Sequence, residues 1–331
     1  MKAKTRAIEL DDSEIQIEQD ENLAFVFNRL EPFFDEYFKN RNTESEDSSV
    51  LKIARDMISG LDYWVYFLTI VNYQVDIQKI LIPMARSLAS AMNSNFKAFF
   101  QLPTDDQREI LDNLSWTFRG KNIAKKTGWQ MHRFYSVDDV LCIFHRFANH
   151  ESKYHDFKAR TKELYQKASN FKDFLGIFNK DWHDEQLCQG CALKCPSPAK
   201  RIVKHHYSEN TTSCVKRFLL FLRWISRDIG YWDFIPRSKL LVPLDLTVKR
   251  VMHRVGVLPD EEGCAWHDVV EVTKYFRKLD PVDPMRFDFL VSRLGILKIC
   301  NVELTKSKCY ACPLAEVCKM KYTNTLFDSL K

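Results

Sequence analysis

The sequence predicts a mainly α protein, on three observations. Apolar residues recur at helical spacing over most of the chain. Glycine is scarce, at 9 in 331 residues, too few for many short strands joined by tight turns. Phenylalanine is abundant, at 24, and such large side chains suit helix-on-helix packing. Apolar residues make up 45% and charged residues 28%, the balance of a folded chain rather than a disordered one. The length suffices for one large domain or two modest ones, each with its own core.

The elements follow in order. Residues 1–20 are mixed-charge and read as frayed. From Leu23 to Phe38, Phe25, Phe27, Leu30, Phe33, Phe34 and Phe38 fall at helical spacing. The polar run 41–49 reads as a loop, and Leu51–Leu61 as a helix. Tyr63–Asn72 and Ile77–Met92 are long apolar helical runs, and Pro83 either kinks the second or begins a new helix. Pro103 opens a further segment, with Thr104 and Gln107 spaced as a capping box for a helix to Phe118. Val137–Phe147 and Phe157–Phe178 read as helices. Residues 179–212 are polar, rich in His and Cys, and form a long connection or small insert. Helical pattern returns at Ser213–Arg227, Thr247–Val255, Trp266–Leu279 and Met285–Lys298. Pro243 followed by Asp245 is a helix-entry signal. No internal repeat or low-complexity tract is visible. This reading divides the chain into an N-terminal extension and helix (1–50), a helical domain (51–299) carrying the insert, and a cysteine loop and tail (300–331).

Charge is uneven. Residues 196–331 carry 23 Lys and Arg against 15 Asp and Glu, a balance of +8, whereas the remainder stands at −3. A basic C-terminal portion fits a polyanion, though an ordinary solvated surface has the same look. No run reaches the roughly 18 uninterrupted apolar residues of a membrane-spanning helix, and residues 1–20 lack a signal-peptide core. We therefore expect a cytoplasmic protein with no membrane partner, acting as a monomer. In that compartment the ten cysteines stay reduced, and clustered ones point to metal.

Two groups are clustered. The tail reads Cys300-x8-Cys309-x2-Cys312-x5-Cys318. Four thiolates in one short loop can wrap a single centre, either zinc or an iron–sulfur cluster. In the insert, Cys188, Cys191 and Cys195 follow His183, a candidate second metal site for zinc or a further cluster, with His205 or His206 able to complete it. Cys142, Cys214 and Cys264 read as buried small apolar residues.

The x2 and x5 gaps of the tail resemble the cluster loop that closes endonuclease III and related adenine glycosylases, although the first gap is longer here. The stretch Ser213–Gly256 resembles the core of the same helix-hairpin-helix DNA glycosylases. Val242-Pro243-Leu244-Asp245 and Val248-Lys249-Arg250-Val251 match that family's motifs, and Lys216 matches the lysine of its bifunctional members. The separation of Lys216 and Asp245, 29 positions, is longer than usual but is comparable in archaeal 8-oxoguanine glycosylases. Lys216–Trp224 with Leu241–Arg250 also looks like an uncharacterised bacterial family placed in this superfamily. The hairpin glycines of the glycosylases are replaced here by residues 210–215, whose Asn and hydroxyl side chains can still bond phosphate.

The resemblance implies two helical subdomains with a cleft between them and a C-terminal cluster loop. It implies a 4Fe–4S cluster on Cys300, Cys309, Cys312 and Cys318, with Lys306, Lys308, Lys319 and Lys321 nearby to meet phosphate. It implies damaged double-stranded DNA as partner, and hence a place at the nucleoid. Contacts to DNA would come from Asn72 and Gln74, candidates to wedge where a base flips out, and from Thr211, Thr212, Ser213, Arg217, Lys249 and Arg250. It implies a glycosylase with abasic-site lyase activity. The chemistry needs an amine, Lys216, to attack C1′, its pKa lowered by burial or a neighbouring cation such as Arg217, and a carboxylate, Asp245, to stabilise the cationic sugar. The residues alone leave two other readings open: Asp245 as a helix cap and Lys216 as a phosphate-binding cation in a non-catalytic DNA-binding protein of this fold, or an iron–sulfur redox or sensing protein.

Overall fold

A computed structural model describes residues 21–40, 46–72, 77–114, 117–118, 121–122, 136–182, 187 and 215–320. The mainly α expectation holds: among these residues the sole strand pairing joins Thr117–Phe118 to Lys121–Asn122, antiparallel. The chain divides into two compact units, Glu36–Pro243 and Met1–Asp35 with Leu244–Lys331. The divisions fall inside helix α2 (Leu30–Lys39) and just before Asp245. No described helix is long and apolar enough to cross a membrane.

In the unit Glu36–Pro243 the central element is α4 (Leu61–Val71). Its sequence, LDYWVYFLTIV, has no polar face, and every residue from Asp62 to Val71 is buried. Aromatic side chains surround it: Tyr63 stacks on Phe157 at 4.8 Å, and Tyr66 meets Trp182 at 5.0 Å and Phe221 at 4.9 Å. Gly60, at φ 69°, begins the helix where a Cβ would lie 2.8 Å from the Lys97 backbone nitrogen, so only glycine fits the turn. Before it runs α3 (Glu46–Arg55), five residues earlier than the pattern at 51–61 suggested. Pro83 starts a helix rather than bending one. A π-helical turn, Ile77–Leu81, leads into α5 (Ile82–Ala91) with the proline in its first turn, where its fixed φ suits the helix.

Next come α6 (Phe96–Phe100) and α7 (Thr104–Asn113). The capping box expected from Thr104 and Gln107 does not form. Pro103 takes the N-cap position, and the buried Gln107 amide instead donates to the carbonyls of Phe100 (3.0 Å) and Leu102 (2.9 Å), closing the end of α6. Then follow α8 (Val137–Tyr154), opened by a Ser136/Asp139 capping box, α9 (Phe157–Lys167) and α10 (Phe171–Trp182). The single helix expected over 157–178 is thus two. Asn170 Oδ1 accepts from Asp173 N and Asp173 Oδ2 from Ser169 N, a polar cap that stops one helix and starts the next. The unit ends with α11 (Val215–Leu222), which continues as a π-helical turn Arg223–Asp228 pinned by the buried pair Arg223–Asp228 at 3.1 Å.

The other unit joins the two ends of the described chain. Its helices are α1 (Glu21–Asn28), α12 (Leu246–Arg254), α13 (Trp266–Leu279) and α14 (Arg286–Ile296). Fully buried Phe27 sits edge-on against Tyr275, Phe276 and Phe287, tying α1 to α13 and α14. The apolar run expected over 23–38 is interrupted at Arg29, where α1 gives way to α2. α12 and α14 cross closely because Gly295 has no side chain: a Cβ there would lie 2.2 Å from Thr247 Cγ2. After α14 the chain runs through two 3-10 turns, Leu304–Lys306 and Cys309–Ala311, with Leu314 buried beneath the loop.

Candidate functional site

The cysteine loop is built on the end of α12. Cys300, Cys309, Cys312 and Cys318 are all half-buried. The loop opens with Cys300 N donating to Leu294 O and Lys308 N to Ile299 O, both 2.8 Å, which folds residues 299–308 back on themselves. The Cys-x2-Cys step forms a 3-10 turn, with Cys312 N donating to Cys309 O at 3.2 Å. The thiols share one neighbourhood. Burial pushes the Cys312 thiol up to about 12, and the charges of Cys300, Cys318 and Cys309 push the same way. Burial also raises Cys300, against the opposing charge and hydrogen bond of Arg254 and the charge of Arg250. Four half-buried thiols, costly to ionise unless a cation shares their charge, are chemically the donor types that zinc or an iron–sulfur cluster takes. Among the described residues no group of three or more His, Cys, Asp or Glu is placed so that it could hold a metal ion.

Arg254 lies within this loop's frame, and no sequence motif marks it. Its Nη1 donates to Asn301 O (2.7 Å), Ser307 Oγ (3.3 Å) and Cys300 Sγ (3.4 Å), and its Nη2 to Val302 O (3.0 Å). Glu261 Oε1 accepts from Nε at 2.9 Å and orients the guanidinium. The Arg254 carbonyl accepts from Lys319 N at 2.8 Å, next to the last cysteine.

At the opposite end of α12 stands Asp245. Its φ of −129° and ψ of 175° are extended, and Oδ1 accepts from both Thr247 N and Val248 N at 2.9 Å. The helix-entry reading of Pro243 and Asp245 is thereby met. The residue is half-buried.

Lys249 departs from expectation. It is 2% exposed, and its ammonium pairs with Asp268 at 2.9 Å and Asp260 at 2.8 Å and donates to Glu262 O at 2.7 Å. Asp268 in turn accepts from Ala265 N and opens α13. Lys249 thereby joins α12 to α13. Arg250 is half-buried beside Gly295 and stands 3.9 Å from Glu261.

Lys216 belongs to the other unit. It is half-buried in the first turn of α11, whose buried side is Phe218, Leu219, Phe221 and Leu222. Arg217 Nη1 lies 3.5 Å from Ile70 O, near the C-terminal end of α4, where a cation meets the negative end of the helix. Asn72, half-buried, caps that same end through its N–H to Leu68 O. Lys216 and Arg217 are thus carried by a helix packed on α4, whose end Asn72 forms. Gln74, Thr211, Thr212, Ser213, His183, Cys188, Cys191 and Cys195 lie outside the described residues, as do His205, His206 and Cys214. Cys142 and Cys264 are buried as expected.

The sequence also concealed a buried polar chain beside α4. The Tyr63 hydroxyl is 2.8 Å from His150 Nδ1, and His150 Nε2 faces Asp181 Oδ2 at 3.6 Å. Burial holds the His150 imidazole below its ordinary pKa, against the pull of Asp181. Burial works to raise Asp181, but bonds from His150, Arg160 and Tyr154 outweigh it and bring the carboxyl down to about 2. All three of Tyr63, His150 and Asp181 are closed off from solvent, so the chain holds the core together.

No curated protein and no solved structure matches the chain. A family model described as "Protein of unknown function (DUF2400)" matches residues 78–297. That span takes in Lys216, Asp245 and Arg254 and stops short of the four tail cysteines. Covering about two thirds of the sequence, the match makes this chain a member of the DUF2400 family.

Proposed function

We propose that the protein is a base-excision DNA glycosylase with abasic-site lyase activity, in which Lys216 is the nucleophile and Asp245 the assisting carboxylate. The observation that carries this reading is the state of Asp245. Its Oδ1 accepts from two backbone donors, which holds the half-buried acid in place at a helix N-terminus. The reaction balances with these two residues. The neutral amine of Lys216 forms a bond to C1′ as the C1′–N bond breaks, and the base leaves with that electron pair and is protonated. Asp245 stabilises the positive charge on the sugar and takes a proton from the attacking nitrogen. Opening of the C1′–O4′ bond then gives the imine. The target base must first leave the stack.

Cys300, Cys309, Cys312 and Cys318 would hold a 4Fe–4S cluster, or zinc in its place, supplying a cross-link that fixes the loop rather than base chemistry. Exposed Lys306, Lys308 and Lys319 then stand where phosphate can be met. Borohydride trapping on a panel of damaged and abasic duplexes tests the reading. The wild type should form a covalent adduct, and Lys216→Ala should form none. If no duplex traps, the lyase is refuted; salt-sensitive binding without trapping would then point to the non-catalytic reading.

A further inference from the structure

A loop of four thiols must be held in shape by something other than the metal if it is to receive the metal in one geometry. In this protein several of the holding contacts come from one residue outside the loop. Arg254 reaches the loop's first ligand, Cys300, through Nη1. It ties the next two residues through the carbonyls of Asn301 and Val302, and it bonds Ser307 Oγ. Ser307 Oγ also accepts from Asn301 N at 2.9 Å, so the same hydroxyl closes the turn that the arginine grips. The backbone of Arg254 takes the loop's far end, accepting from Lys319 N immediately after Cys318. One residue therefore touches both the first and the last ligand regions of a segment with four cysteines. Gly256, at φ 84°, lies beneath the Lys319 side chain and keeps this approach open. Glu261 holds the guanidinium plane, and Arg254 is itself 4% exposed.

We propose that Arg254 is the positioning residue of the cysteine loop, setting its shape and donating a charged hydrogen bond to the Cys300 sulfur of the bound metal centre. This rests on reading the loop as a metal site. Two consequences follow from general chemistry. A partner behind the ligands that fixes their geometry strengthens metal binding, by about 10- to 100-fold in comparable sites, and a weaker site releases its metal faster. A hydrogen bond from a cation to a ligand sulfur stabilises the more electron-rich state, so its removal moves a cluster's potential to more negative values. Lysine cannot replace arginine here, because a single ammonium cannot reach the four acceptors that the planar fork spans.

The test compares the full-length wild type with Arg254→Lys, Arg254→Gln, Glu261→Gln and Ser307→Ala, all purified anaerobically. Iron, sulfide and zinc are measured per chain, then the rate of metal loss to a chelator, and, for iron-loaded protein, the visible spectrum and midpoint potential. The wild type should carry metal. Both Arg254 variants should lose it about tenfold faster or more, and iron-loaded Arg254 variants should show a more negative midpoint. Glu261→Gln and Ser307→Ala alter a half-exposed carboxylate and a single hydroxyl. They leave the helices intact and should show smaller shifts in the same direction, which keeps the proposal testable if Arg254 variants fail to fold. A metal-free wild type would overturn the metal reading itself. A loaded wild type whose variants all match it in chelator kinetics and spectrum would overturn the role of Arg254 alone.

Discussion

At the scale of single residues, the informative groups are carboxylates whose surroundings decide their charge. Asp62, second residue of α4, is 7% exposed, and burial pushes its carboxyl up to about 7, with Asp156 and Glu151 adding to the effect against a bond from Tyr63 N. The folded state therefore keeps a proton here that the unfolded chain releases between pH 4 and 7. Stability is lost as pH rises through that window, by at most about 4 kcal/mol. Asp62→Asn should raise unfolding stability at pH 8 and much less at pH 5, as read by urea unfolding at both values; equal effects at the two pH values would contradict the burial account. Asp245 separates two roles. Asn caps a helix as well as Asp does, whereas Ala forfeits the cap at about 1 kcal/mol. Asp245→Asn should keep thermal stability and lose borohydride trapping, while Asp245→Ala should lose both. Trapping that survives in Asp245→Asn would reduce the residue to a cap.

Between helices, the tightest constraint is the crossing of α12 and α14. Gly295→Ala would bring a Cβ to 2.2 Å from Thr247 Cγ2 and should destabilise by about 1–3 kcal/mol. Thr247→Ser removes that methyl and should recover most of the loss in a double-mutant cycle; additive effects would show that the crossing already yields elsewhere. What was legible in the sequence divides along the same line of reach. Helix α13 occupies Trp266–Leu279, as its periodicity predicts, and Asp245 caps α12 because a cap acts over two or three residues. The break between α9 and α10 has no Gly or Pro to mark it, only Ser169 and Asn170, which become caps once the neighbouring backbone turns. Gln107 has the spacing of a capping box, yet its longer amide finds the carbonyls left open by α6. Lys249 lies in a motif that suggests a DNA contact, but its partner Asp268 is 19 positions away on another helix. Arg254 and Cys300 are 46 positions apart, and no local pattern joins them. Charges fixed by distant partners are invisible to periodicity.

For the molecule as a whole, the decisive fact is that one unit is assembled from chain segments far apart in sequence. Phe27 lies against Tyr275, Phe276 and Phe287, about 250 positions on. Phe27→Ala should cost about 3–5 kcal/mol. Native-state hydrogen exchange should show the loss in α13 and α14 and leave α4 unchanged; uniform loss over the chain would mean that the two units unfold as one. Closing so long a loop is slow compared with forming local helices. On the ribosome, then, the helix carrying Phe27 emerges early and waits, its aromatic ring without a resting place, while the segment that can be completed first folds behind it. Only when synthesis has delivered Tyr275, Phe276 and Phe287 can the waiting ring be seated, and the cysteine loop follows last. If the loop holds metal as proposed, loss of the early helix would register as poor metallation of a newly made chain, although not one cysteine had been touched.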